Sequence, residues 1–240
     1  MLRRFVVLIA IVTAHANAQS AQGGHAPQPD GRLLRLTTDS LEVYVVRRGE
    51  AQRTGLIVDR LDTTRVNGEA VLRRVYRTDD AVLGTSLDTL IDALPDLHAR
   101  SVRTVGSRAI EALDWKGDRV TGSVEQNGKA ERGIDAVVPT GGGYSSASFD
   151  VILRASPLVE GYAVDVPTFS GQEGAAVLTA RVVGSEEISG YGDTWRVDAD
   201  FSGMSVSFWI SKTSRRLVRQ VMHIAPNAEI HFVAPRHAAA

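Results

Sequence analysis

Two histidines and one acidic pair are where chemistry could begin in this sequence. His223 and His231 fall in stretches that alternate like neighbouring strands, so their rings could approach each other. A structural or catalytic ion needs three or four converging ligands, and neither a His-x-x-x-His pair nor a carboxylate cluster accompanies them. No metal site and no cofactor is expected. The other histidines, His25, His98 and His237, are scattered. The chain has no cysteine. That excludes a thiolate nucleophile, a Cys-ligated zinc, a disulfide and a cysteine-linked lipid anchor. No Gly-x-Ser-x-Gly elbow is present. The run Gly141-Gly142-Gly143 lacks the following lysine that a phosphate loop requires, so it reads as a linker. No catalytic residue is expected.

Glu186 and Glu187 are adjacent, so on a strand they point to opposite faces and do not act together. If Glu186 shares the inward face with Leu178 and Val182, it enters an apolar space and needs a partner or a raised pKa. Arg196 and His223, on adjacent strands, are the candidate partners, so Glu186, Arg196 and His223 are the candidate buried polar residues. Aromatic residues are few, yet Trp195, Phe201, Phe208 and Trp209 crowd within fifteen positions. Such a cluster is either core or the wall of an apolar cavity. The cavity reading makes Phe149, Leu153, Trp195, Val197, Phe201 and Phe208 the candidate ligand-binding face, because small-molecule sites are mostly apolar.

The elements that must position these residues are strands. Trp195, Val197, Ala199 and Phe201 alternate with Arg196, Asp198 and Asp200; after Ser202-Gly203, Met204, Val206, Phe208 and Ile210 alternate with Ser205, Ser207 and Trp209. A period of two predicts half-buried strands joined by a hairpin. Similar stretches are predicted over 41–49 (Leu41, Val43, Val45 inward), 52–62 (Leu56, Val58 inward), 70–78 (Val71 and Val75 opposing Arg74 and Tyr76), 101–105, 109–115, 119–126, 129–138, 161–169, 175–188, 216–224 and 229–233. Asn67-Gly68 and Asn127-Gly128 are strong hairpin signals. Residues 33–39 and 85–93 read as strand or helix. The helical stretch is 145–158, where Phe149, Ile152 and Leu153 have helical spacing, a serine can cap the start and Pro157 ends it. Asp150 and Arg154, four apart, are expected to pair on its exposed side. The fold expected is a mainly β, long curved antiparallel sheet, a half-open barrel, with one helix packed against it.

Residues 1–18 read as a signal peptide: Arg3-Arg4, an apolar run over 5–12 too short to span a bilayer, and the small-x-small site Ala16-Asn17-Ala18. Residues 19–32 read as a flexible leader, 33–234 as a single β domain and 235–240 as a loose tail. Of the 27 basic and 28 acidic residues, cleavage removes Arg3 and Arg4 and no acid, leaving 25 basic and a net charge of −3. That balance argues against a nucleic-acid partner. No later apolar run approaches the length of a membrane helix.

The runs Phe149-Asp150-Val151-Ile152-Leu153-Arg154-Ala155-Ser156-Pro157-Leu158, Gly161-Tyr162, Pro167-Thr168-Phe169, Val183-Gly184-Ser185-Glu186, Trp195-Arg196-Val197 and Phe208-Trp209-Ile210-Ser211 resemble an uncharacterised family of exported bacterial proteins. That family is similar in outline to the periplasmic lipoprotein carriers of the Lol type. The resemblance covers roughly residues 40–225. It implies a half-barrel whose concave apolar face lies under helix cover. The carriers hold acyl chains there; this chain has fewer helices and no lid beyond 145–158. The expected function is an exported, non-catalytic cell-envelope protein that binds a lipid or other hydrophobic ligand. The alternatives are a periplasmic hydrolase assembled across strands, or a structural protein docking on an envelope partner.

Overall fold

In a computed structural model, residues 28–138, 143–201 and 203–235 are described. The signal-peptide reading, most of the leader, Gly141-Gly142 and all but the first residue of the tail lie outside them. The strands are β1 (Thr38–Arg47), β2 (Glu50–Val66), β3 (Glu69–Asp80), β4 (Gly84–Ala93), β5 (Ala99–Gly106), β6 (Ala109–Lys116), β7 (Arg119–Gln126), β8 (Arg132–Val137), β9 (Tyr144–Ser145), β10 (Ala163–Ser170), β11 (Gly174–Ile188), β12 (Gly192–Phe201), β13 (Met204–Ser211), β14 (Leu217–Ala225) and β15 (Ala228–Val233). A short helix, α1 (Phe149–Ala155), follows a 3-10 turn at Ser146–Ser148. A second 3-10 turn at Gly31–Leu33 straddles the expected boundary between leader and domain, and residues 33–39 hold the end of that turn and the start of β1.

All the strands form one sheet in the order β8-β7-β6-β5-β4-β3-β2-β1-β15-β14-β13-β12-β11-β10-β9. Every pairing is antiparallel except β9 with β10. Asn67-Gly68 and Asn127-Gly128 have the paired positive φ angles of tight hairpin turns (51° and 85°, 52° and 68°). That geometry matches the twist of the flanking strands. The turn after β1 has the same form but centres on Arg48-Gly49, with φ of 53° and 85°.

The sheet curls back on itself. The Gln126 side-chain amide donates to the Gln172 side-chain Oε1 at 2.8 Å, Arg132 donates to the Gly171 backbone carbonyl, and Trp115 meets Phe169 edge-on at 6.5 Å between ring centres. The turn after β10 therefore rests on β6, β7 and β8. This closure divides the interior into two apolar clusters. The larger joins α1 to the inner faces of β1–β3 and β10–β15. The smaller joins Leu90, Val102, Leu113, Trp115, Val120, Val124 and Ile134 to Phe169.

α1 is seven residues long, too short to be stable alone, and tertiary packing holds it. Phe149 and Val151 through Ala155 are all buried. Ser145, not Ser148, supplies a cap: its Oγ accepts from the Ala147 amide, starting the 3-10 turn. The helix sits inside the curl rather than on its outside. The pairing of Asp150 with Arg154 is accordingly internal, at 3.7 Å, with the Arg154 side chain 1% exposed. Two inward faces also differ from the apolar pattern. On β2 the buried residues are Ile57, Asp59 and Leu61 rather than Leu56 and Val58. On β3, Val71 is buried as expected, but Leu72, Arg74 and Thr78 are buried too and Val75 is only partly so. β2 and β3 pair without a register shift over these residues, and the inward polar side chains Asp59 and Arg74 are accommodated by their mutual ion pair at 2.8 Å.

Candidate ligand cavity

Between α1, β3–β6 and β12–β14 lies a cavity of about 500 Å³. That volume falls in the ~300–1,000 Å³ range of small-molecule sites. Its two long walls differ in chemistry. One wall is apolar: Phe201 at the end of β12, Met204, Val206 and Phe208 on β13, and Met222 on β14. These positions share a face because Phe201 pairs with Met204 and Val206 pairs with Met222. Phe149 at the start of α1 closes the base of this wall, with its ring 5.9 Å from that of Phe208 and 6.3 Å from that of Phe201. Phe208 is 3% exposed, whereas Phe201, Met204 and Met222 remain partly open.

The facing wall carries a polar row above the apolar Leu90 and Val102. Asp88 on β4, Thr104 on β5 and Glu111 on β6 stand opposite one another in a single row. Asp88 accepts from the Ser86 hydroxyl at 2.9 Å. Glu111 accepts from the Gly171 amide; burial pushes its carboxyl pKa up against that hydrogen bond, and the Asp88 charge adds to the rise. The cavity reaches the surface at the exposed residues Thr85, Arg108 and Glu173.

The floor is an ionic cluster. Arg74 donates to both oxygens of Asp59, at 2.8 and 3.0 Å, and to both of Asp150, at 2.7 and 3.2 Å. Its remaining donor goes to the Ala147 carbonyl at 3.0 Å. All five guanidinium N–H groups are thus used. Burial works against the Arg74 charge, but the carboxylates of Asp150 and Asp59 outweigh it and hold its pKa well above the ordinary arginine value. Arg154 adds a second cation 3.5 Å from Asp59, so two arginines balance two aspartates. The Arg74 guanidinium also lies 4.6 Å from the centre of the Tyr76 ring. Beside this cluster, Asp92 on β4 is 1% exposed and accepts from the Ser148 hydroxyl at 2.9 Å, while its Oδ1 has no hydrogen-bond partner. Burial pushes the Asp92 carboxyl from 3.8 up to about 7, with Ser148 and Arg74 opposing the rise.

The structure brings three of the six expected ligand-face residues, Phe149, Phe201 and Phe208, to this cavity. Leu153 and Val197 are instead fully packed in the larger core. Trp195 lies at the edge of that core, with the Lys212 ammonium 4.2 Å from its ring centre. The three expected buried polar residues lie on the outer face. β11 shifts register against β12 between Val182 and Gly184, which turns Glu186 away from the side of Val182. Glu186 is exposed and accepts from the Trp209 indole N–H at 2.6 Å. Arg196 pairs with Asp198 at 3.2 Å and stacks on Trp209. His223 and His231 do converge, but on Glu229, at 2.9 and 2.6 Å, and neither meets Glu186. Among the described residues no group of three or more His, Asp or Glu side chains is placed to hold a metal ion. Asp88, Glu111, Arg74 and Met222 were not anticipated as site residues. The alternation of Ser86, Asp88, Leu90 and Asp92 was the available signal, readable only once that face was known to point inward.

The model of a protein family described as "Protein of unknown function (DUF3108)" matches residues 44–229. The crystal structure of a beta-barrel-like protein of domain of unknown function DUF1849 from Brucella abortus is similar, with a TM-score of 0.50 at 11% identity, over 85% of this chain and 98% of that one. At that identity the likeness concerns the fold alone. The comparison with curated proteins gave no match.

Proposed function

The chain belongs to the DUF3108 family of proteins of unknown function, and from the cavity we propose that it is an exported, non-catalytic cell-envelope protein that holds a lipid or other hydrophobic molecule. The observation that carries this reading is the wall of Phe201, Met204, Val206, Phe208 and Met222 around a volume of about 500 Å³. A wall of that composition favours an apolar ligand through burial of its surface, at ~25 cal/mol per Å². The cavity lies inside a stiff sheet with a salt-bridged floor, so it is largely formed before the ligand arrives. The export part of the reading rests on Arg3-Arg4, the short apolar run and Ala16-Asn17-Ala18. Among the described residues no helix is long and apolar enough to cross a membrane.

A hydrolase is the second reading, favoured by the facing carboxylates Asp88 and Glu111. It is the weaker one because no histidine among the described residues lines the cavity and Arg74 has no donor left for a developing negative charge. Native mass spectrometry of protein purified from its own cell envelope separates the two. Carriage predicts a bound mass that is released unchanged on denaturation; turnover of an ester or amide substrate, lost in Glu111→Gln, would overturn it.

A further inference from the structure

From the chemistry of the two walls we infer that the cavity takes a cationic amphiphile, an amine-bearing head group seated on Asp88 and Glu111 with its apolar tail against Phe201, Met204 and Met222. This rests on the ligand-carrying reading above and narrows it to one head-group charge.

The inference starts from an inversion of the usual strand pattern. On β4, β5 and β6 the row Leu87, Val105 and Ile110 faces outward, 48%, 64% and 49% exposed, while the adjoining row Asp88, Thr104 and Glu111 faces the cavity. Exposing three large apolar side chains and enclosing two carboxylates both oppose folding. Rules of this kind are broken mainly where function requires it. The inversion is local: deeper in the same cavity Leu90 and Val102 line it in the ordinary apolar way, and Leu113 beside them is buried.

The charges in the cavity are not balanced. Arg74 is saturated by Asp59, Asp150 and the Ala147 carbonyl, so it offers nothing to an anionic head group. Arg108, at the mouth, is exposed and turned to the Val82 carbonyl. Neither Asp88 nor Glu111 is within ion-pair distance of a basic group among the described residues, and their hydrogen bonds come from neutral donors, Ser86 and Gly171. A ligand that brings a positive charge and N–H donors restores the balance. A carboxylate or phosphate head group would add repulsion to a site whose acids already repel each other.

The test uses the mature chain, the neutral apolar probe N-phenyl-1-naphthylamine, and three twelve-carbon competitors: dodecylamine, dodecanol and dodecanoate. In the wild-type protein at neutral pH, dodecylamine should displace the probe at a concentration about tenfold or more below that of dodecanol, the weight of a charge-assisted hydrogen bond. Dodecanoate should be the weakest. In the Asp88→Asn, Glu111→Gln double variant, the amine advantage should vanish while dodecanol binds as before. Equal displacement by all three, or preference for dodecanoate, overturns the cationic head group and leaves the apolar-carrier reading standing. Failure of the probe to bind the wild-type protein overturns both.

Discussion

Replacing Asp92 by asparagine should change how stability depends on pH more than it changes stability itself. Asp92 is nearly isosteric with asparagine, so the Ser148 hydroxyl keeps an acceptor. The new amide N–H2 stands where Oδ1 has no partner, a constant penalty of about 1–3 kcal/mol. The pH term is larger. In the unfolded chain the carboxyl titrates near 3.8; in the fold, burial moves it to about 7. Between those values the folded protein holds a proton that the unfolded chain has lost, so stability falls as pH rises. At about 1.4 kcal/mol per pH unit the loss totals about 4 kcal/mol by pH 7, and the stability is fully present only below the unfolded value. The variant lacks this term. Urea denaturation of both proteins from pH 5 to 8 should show Asp92→Asn gaining on wild type as pH rises, by about 2–3 kcal/mol between pH 5 and 7, and the more stable of the two by pH 8. A difference that is flat across this range would refute the assignment of a buried, readily protonated carboxyl at this position.

Arg74→Ala should destabilise the protein by about 3–5 kcal/mol in urea denaturation, because it leaves Asp59 and Asp150 buried beside a single cation, Arg154. Phe208→Ala should cost about 3–5 kcal/mol as a packed core deletion, since that ring is 3% exposed. Phe201→Ala, at the partly open end of the same wall, should cost clearly less in thermal denaturation yet weaken apolar-probe binding more. If the protein is exported as proposed, N-terminal sequencing of the mature chain should begin at Gln19, or at Asn17 if the earlier small-x-small site is cut; an intact Met1 would refute it.

Much of the fold was legible because strands announce themselves by alternation and by turns. β7, bounded by Lys116-Gly117-Asp118 and Asn127-Gly128, falls on the same residues in both readings. The helix was legible in kind but not in extent, because Ser148 turns its hydroxyl to Asp92 instead of capping, and residues 144–148 form a short strand and a 3-10 turn. The site was only half legible. Its apolar wall follows the rule that hydrophobic faces point inward, so Phe149, Phe201 and Phe208 could be found. Its polar row breaks that rule: on β4 Leu87 and Ile91 look like an inward face, whereas Asp88 and Asp92 share the inward side with Leu90. Glu186 was misplaced by a single register shift in β11, which no local pattern reveals.

The central claim is that the space beside Phe201 and Met222 holds an apolar ligand, and a titration with N-phenyl-1-naphthylamine tests it most directly. Wild-type protein should give a saturable, one-to-one fluorescence increase. Met222→Trp, which puts a larger side chain into the cavity, should abolish it while circular dichroism still reports an intact β fold. No saturable binding by the wild-type protein, or undiminished binding by a folded Met222→Trp variant, would contradict the account.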